Sequence, residues 1–298
     1  MNKIIVIVGP TGVGKTKLSI NLAKIFDGEI INADSTQVYK KLNIGTAKIT
    51  KDEMEDIPHH LIDIKEPNEL YTVYDYQKDG RKVISEILER GKTPIVVGGT
   101  GLYIKALLYN YEFKKEDNDI SYELYTLEDL YDKLKEIEPD TDIPKNNRKR
   151  VERALTFYNE NGFPISMKDG KNKLLYDAIF IGLTTNRDKL YKRIRRKTEL
   201  MFEHGLLNEV KDLYDNKING QIINTAIGYK ELYEYFNGNC SLEEAILNIK
   251  NNSTNYAKRQ YTWFNNQMQV KWFEVDFDNF DYTIDQVVKY IKDKDKLI

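Results

Sequence analysis

A single cysteine, Cys240, occurs among 298 residues. One thiol excludes an internal disulfide and any multi-cysteine metal cluster. No apolar run approaches the roughly 20 residues that a bilayer span requires, so no membrane anchor is expected. The apolar N-terminus runs straight into a glycine-rich loop without a small-residue cleavage site, which reads as a buried strand and not a secretion signal. Cytoplasmic residence is the resulting expectation. Net basic charge is missing too: 45 Lys and Arg stand against 47 Asp and Glu, a formal net charge of −2. Any contact with nucleic acid must therefore come from local patches. No internal repeat or low-complexity linker interrupts the chain. What is present, 41% hydrophobic and 31% charged residues, is the balance of a folded globular protein. The length suits one large domain, or a core with a smaller domain attached.

Charge is unevenly placed. Glu112 to Asp142 is rich in acids, whereas Lys145 to Arg153 and Lys192 to Lys197 are strongly basic. Such runs are ordinarily solvated helix faces. Periodicity predicts a strand over Lys3–Val8 and a helix over Lys17–Phe26, with Leu18, Leu22 and Ile25 on one face. A short strand over Glu29–Asn32 ends at Asp34. A helix over Tyr74–Arg90 stops at Gly91, and a strand over Pro94–Val97 runs into Gly98-Gly99-Thr100-Gly101. Alternating strand and helix predict an α/β fold, a P-loop NTPase-like parallel sheet flanked by helices. From about Phe113 the pattern turns charged and helical (Leu127, Leu130, Leu134, Ile137) until an apolar strand returns at Asp177–Leu183. The simplest organisation is an α/β core of residues 1–112 and 174–298, interrupted by a small helical insertion domain of residues 113–173. The remainder is mostly helical, over Arg187–Phe202, Leu206–Tyr214 and Leu242 to about Asn266.

Residues Gly9, Pro10, Thr11, Gly12, Val13, Gly14, Lys15 and Thr16 match G-x-x-x-x-G-K-[ST] between a strand and a helix, the context that motif needs. Glycines let backbone N–H groups curl around an anion, and the helix N-terminus adds partial positive charge. Lys15 neutralises outer phosphate oxygens, and the Thr16 hydroxyl can ligate Mg²⁺. The pattern indicates a polyphosphate ligand, ATP included, without choosing among them. A triphosphate hydrolase usually carries an apolar strand ending in Asp, but Pro94–Val97 ends in Gly-Gly-Thr. The acid nearest the loop is Asp34, either a base beside a diphosphate or a cap for the following turn. Parallel sheets bind ligands beyond the carboxyl ends of their strands, so the loop, Asp34 and Thr100 should share one site.

Several further segments occur in one order along the chain: DSTQVY at 34–39, NIGTAK at 43–48, HHLID at 59–63, GGTGLY at 98–103, RVERAL at 150–155, AIGYKE at 226–231 and YAKRQYTWF at 256–264. Together with the phosphate loop, this set resembles the tRNA dimethylallyltransferase (tRNA isopentenyltransferase) family over nearly the whole chain. The resemblance implies that the loop holds dimethylallyl diphosphate rather than ATP. It implies as partner a tRNA, through its anticodon stem-loop, whose adenine next to the anticodon is flipped into a channel. It also implies transfer of the dimethylallyl group to N6 of that adenine, with release of diphosphate. Asp34 is then the general base, Lys15 and Mg²⁺ on Thr16 stabilise the departing diphosphate, and Thr11 faces the diphosphate or the reacting centre. On the RNA side it carries over Asp34, Ser35, Thr36, Gln37 and Thr100, then Lys149, Arg150, Val151, Glu152 and Arg153. It further carries over Thr225, Ala226, Ile227, Gly228, Tyr229 and Lys230, and finally Lys258, Arg259, Gln260, Tyr261, Thr262, Trp263, Phe264 and Asn265. Arg and Lys suit phosphates, and aromatic planes suit unpaired bases. The last segment also reads as an amphipathic helix with Tyr261 and Phe264 in the core.

The sequence departs from the family pattern in three places. Lys197 stands where an arginine is expected to contact the diphosphate. At about 100° per residue it projects between Leu190 and Met201, on the apolar side, with Arg193 and Arg196 off that face. A lysine is a point charge without the arginine fork. Asn147 replaces an aspartate before RVERAL, and an arginine expected near Ser121 is absent. The C-terminal zinc finger of some relatives is not expected with one cysteine and a chain ending at Ile298. His59 and His60 lack metal-site spacing, so a structural or hydrogen-bonding role is expected. The main alternative is a P-loop small-molecule kinase using ATP with Asp34 as base. Prenyl transfer to free adenine nucleotides and a non-catalytic RNA-binding module also remain open. No feature demands a dimer, and a monomer is expected.

Overall fold

The computed structural model describes residues 3–111, 121–167 and 173–295. Parts of the acidic stretch and of the expected insertion, 112–120 and 168–172, lie outside the described residues. The chain forms two compact units, Met1–Leu108 with Leu175–Ile298, and Tyr109–Leu174.

The larger unit is built on one parallel sheet. Its strands are β1 (Ile4–Val8), β2 (Gly28–Asn32), β3 (His59–His60), β4 (Thr93–Val97), β5 (Ala178–Thr184) and β6 (Lys271–Glu274), in the order β3-β2-β4-β1-β5-β6. All pairings are parallel, with Ile5 opposite Ile95 and Ile179. β1 is buried along its whole length, as a near-continuous apolar run in a parallel sheet should be. Helices α1 (Lys15–Ile25), α2 (Val73–Glu89), α3 (Gly101–Leu108), α6 (Arg187–Glu203), α7 (Leu206–Asp215), α8 (Tyr229–Phe236), α9 (Leu242–Gln267) and α10 (Phe280–Asp295) belong to the same unit. Leu18 and Leu22 of α1, Ile194 of α6 and Val287 and Ile291 of α10 join Ile5, Ile7 and Ile181 in one core cluster. The smaller unit contains α4 (Leu127–Ile137) and α5 (Arg148–Asn161), and packs Leu130, Leu134, Ile143, Val151, Ala154 and Leu155 together.

The predicted strands and long helices form within one or two residues of their expected bounds. β3, β6, α3, α8 and α10 are not among the expected elements, although Tyr103, Ile104, Leu107 and Leu108 of α3 and Tyr229, Leu232 and Tyr233 of α8 have helical spacing. β3 is two residues of histidine, and β6 is an edge strand whose Lys271 and Glu274 are exposed. Gly91, at φ 70°, follows the α2 C-cap Arg90. Asn147 is the N-cap of α5, accepting from the Arg150 N–H at 3.2 Å.

Candidate active site

The strand order places β2, β4 and β1 side by side, so the loops that follow them meet at one sheet edge. Gly98 N–H donates to Ile7 O (3.2 Å), Ala33 N–H to Val97 O (2.8 Å) and Thr100 N–H to Ala33 O (3.1 Å). The phosphate loop turns through Gly9, Gly12 and Gly14 at φ 144°, 79° and 103°, values that L side chains rarely adopt. It enters α1 at Lys15. Ile194 of α6 and Phe280 of α10 pack against the loop at Gly12 and Gly14.

Lys15 Nζ donates to Gly9 O and Pro10 O, both at 2.9 Å. Burial pulls its pKa down to about 8; Asp34 opposes that shift and Lys197 adds to it. Lys197 is half-buried and its pKa is also lowered by burial, with Asp34 and Glu53 opposing and Arg193 adding to the shift. Lys15, Asp34 and Lys197 thus share one charge cluster, and the inward direction expected for Lys197 is where the structure puts it. Arg193 is exposed, as expected, yet its Nε donates to Gly12 O (3.4 Å) and its guanidinium lies 3.8 Å over the Phe277 ring. It is a second cation beside the phosphate loop.

Asp34 has the turn-capping role that its sequence context left open, and keeps an oxygen for the other. Its Oδ1 accepts from the Thr36 N–H (3.0 Å) and hydroxyl (2.7 Å), capping the turn. No hydrogen bond reaches Oδ2 from the described residues. Asn32 braces the backbone, accepting from Asp34 N–H at 3.1 Å and donating to Leu61 O at 3.0 Å. Thr100 Oγ1 accepts from Ser35 N–H (3.0 Å) and lies 3.2 Å from the Ser35 hydroxyl. Gln37 is turned inward, donating to Thr46 O (3.1 Å).

α9 carries Gln260 into this edge. The Gln260 side chain accepts from Thr11 N–H and donates to Gly99 O, each at 3.0 Å. Tyr256, one turn earlier, has its phenol pushed up to about 12 by burial, with Asp34 adding and bonds from Thr100 and Gln260 opposing. Sequence reasoning did not single out Tyr256, although it heads the YAKRQYTWF segment and its i,i+4 spacing to Gln260 puts both on one face. Glu209 was missed as well. Its carboxylate accepts from the N–H groups of Asn43, Ile44 and Gly45 and from Tyr229 Oη (2.6 Å), fixing the 43–48 loop.

The segments assigned to RNA divide by exposure. Lys149, Arg150, Arg153, Thr225, Lys258, Arg259, Thr262 and Asn265 are exposed, while Glu152 is half-buried and paired with Arg148 at 2.7 Å. Ile227 and Lys230 are half-buried. Val151, Ala226, Tyr229, Gln260 and Phe264 are buried, and Gly228 is buried at the α8 N-cap. The expectation that whole segments face RNA is therefore corrected for Val151, Ala226, Tyr229, Gln260 and Phe264, whose side chains are part of the protein interior. Tyr261 packs on Trp272 at a ring distance of 4.9 Å, and Trp263 edge-on to Phe264 at 5.3 Å. His59 and His60 bond to Ile57 O and to Glu29, which Arg90 also holds. A cavity of about 860 Å³ opens elsewhere, between α7, α8 and α9, lined by Tyr214, Asn224 and Asn252 among others.

Thr16 is exposed at the start of α1, and no cluster of three or more His, Cys, Asp or Glu able to hold a metal occurs among the described residues. One hydroxyl suits Mg²⁺, which keeps several waters and leans on substrate phosphates.

A parallel sheet that presents a glycine-rich loop, a lysine and a carboxylate at one edge defines a phosphate-loop α/β protein. A family model described as IPP transferase matches residues 37–267, and one described as isopentenyl transferase matches residues 2–70. The tRNA dimethylallyltransferase of Anoxybacillus flavithermus is 48% identical over 301 residues, covering 98% of this chain and 97% of that one. That of Bacillus pumilus is 50% identical over 284 residues, 91% and 89% of the two chains. Among solved structures, the full-length tRNA isopentenylpyrophosphate transferase of Bacillus halodurans aligns with a TM-score of 0.76 at 45% identity, covering 100% and 99%. A eukaryotic dimethylallyltransferase acting on tRNA aligns at 0.83 and 31% identity, covering 97% and 78%. The chain belongs to the tRNA dimethylallyltransferase family of prenyl-transferring enzymes.

Proposed function

We propose that the enzyme transfers a dimethylallyl group from dimethylallyl diphosphate to N6 of the adenine next to the anticodon of tRNA. The observation that carries this reading is the pairing of Asp34, with Oδ2 open, and Lys15 at one sheet edge. The adenine N6 lone pair attacks the allylic C1 and the C1–O bond breaks. Its electron pair leaves with the diphosphate, and the displaced N6 proton passes to Asp34. Such base assistance is typically worth about 10²–10⁴ in rate. Lys15, the loop amides and Lys197 meet the charge that develops on the leaving group, and Thr11 lines the same loop. The Thr16 hydroxyl would hold Mg²⁺, which would supply Lewis-acid stabilisation of diphosphate oxygens. The exposed cations Lys149, Arg150, Arg153, Lys258 and Arg259 suit RNA phosphates. Among the described residues no helix is long and apolar enough to cross a membrane; we place the enzyme in the cytoplasm, acting as a monomer.

The test offers labelled dimethylallyl diphosphate and Mg²⁺ with AMP, ADP, ATP or unmodified tRNA. The expected outcome is label in tRNA alone. Label passed equally well to free nucleotide, or phosphate moved from ATP to a small molecule, overturns the reading.

A further inference from the structure

We infer that Gln260 is a positioning residue that locks the diphosphate loop to the base-binding loop, and that it acts on the transfer step rather than on RNA affinity. The inference rests on the prenyl-transfer reading above.

Gln260 lies on a helix whose neighbouring Lys258 and Arg259 are exposed, yet it is itself only 4% exposed. Both ends of its amide are used. Oε1 takes the Thr11 N–H of the phosphate loop and Nε2 gives to Gly99 O, each at 3.0 Å. These opposite partners, a donor and an acceptor, fix the amide orientation. A Cβ at residue 99 would lie 2.0 Å from Gln260 Nε2, so any larger residue there would push the amide from its place. The path continues from Gly99 to Thr100, from Thr100 Oγ1 to the Ser35 N–H at 3.0 Å, and so to Asp34. One side chain thus spans the loop that holds the leaving group and the loop braced against the base.

Prenyl transfer needs the allylic carbon and the amine nitrogen in line and near contact distance. A misplacement of about 1 Å can cost roughly 10²-fold in rate. The Gln260 amide joins the phosphate loop directly to the Gly99 loop, which Thr100 links to Ser35 and Asp34, so it contributes to that spacing. Buried to 4% exposure, engaged by two backbone groups and close to the Tyr256 phenol, the amide is poorly placed to meet RNA.

The experiment compares wild type, Gln260→Met and Gln260→Glu by single-turnover transfer to tRNA and by tRNA binding. Gln260→Met should lower the transfer rate roughly 100-fold while leaving the tRNA dissociation constant within a factor of two. Gln260→Glu keeps an acceptor for Thr11 but, when ionised, has no proton for Gly99 O. A protonated carboxyl restores both bonds, so its rate should rise relative to wild type as pH falls. Should Gln260→Met not fold, the pH profile of Gln260→Glu carries the test. Tenfold weaker tRNA binding with an unchanged transfer rate overturns the inference, as do a normal rate or a Gln260→Glu profile parallel to wild type. If wild type itself transfers nothing to tRNA, the functional reading fails and takes this inference with it.

Discussion

Lys15 is already poised by its surroundings. Its pKa of about 8 means that the free enzyme is cationic at neutral pH and loses that charge as pH rises through 8. Bound diphosphate favours the ammonium, so kcat/KM for the donor should fall above about pH 8 while kcat holds to higher pH. A flat kcat/KM profile up to about pH 9.5 would contradict this assignment. Asp34→Ala should keep tRNA binding and lose about 10²–10⁴ in turnover, measured by single-turnover transfer. Lys197→Met should weaken donor affinity, whereas Lys197→Arg should retain it; equal affinities in titrations would remove Lys197 from the diphosphate site. The positions of Lys15 and Asp34 at one sheet edge and the inward turn of Lys197 were legible in the sequence, because a motif, a strand end and helical spacing each have a fixed geometric meaning. Arg193 was not. Helical spacing places it off the apolar face, and only the fold brings Gly12 beside it.

At the scale of elements, α9 shows why a basic-aromatic segment divides. Ala245, Ile249, Ala257, Gln260 and Phe264 are buried along it, a stripe that carries one polar member inward among apolar ones. Spacing alone reveals the stripe but not the partners of Gln260, which lie in loops 161 and 249 residues away. Glu209 of α7 plays a similar part for the 43–48 loop. Glu209→Ala would leave three backbone N–H groups and the Tyr229 hydroxyl without their acceptor, a loss of about 2–4 kcal/mol readable in chemical denaturation. β3 and β6 were illegible for lack of apolar alternation. α10, by contrast, has Phe280, Ile284, Val287 and Ile291 at helical spacing, a pattern that the sequence does carry.

For the whole molecule, a formal charge of −2 rules out a global field for RNA. Binding rests on local cations, and neutralising any one that meets a phosphate should lower the salt dependence of affinity. The two compact units have separate cores. Leu134→Ala, in the small core, should destabilise its unit by about 2–5 kcal/mol and leave donor affinity unchanged in a direct titration. The parallel sheet, the phosphate loop and the meeting of three loops at one sheet edge were readable from alternating patterns and the carboxyl-end rule, whereas the strand order that sets their spacing is encoded in no local pattern. That convergence is the basis on which transfer to an exocyclic amine is proposed. Its most direct test supplies labelled dimethylallyl diphosphate and tRNA in which inosine, lacking that amine, replaces the adenine next to the anticodon. The account predicts full labelling of the adenine tRNA and none of the inosine tRNA. Equal labelling of both would contradict it.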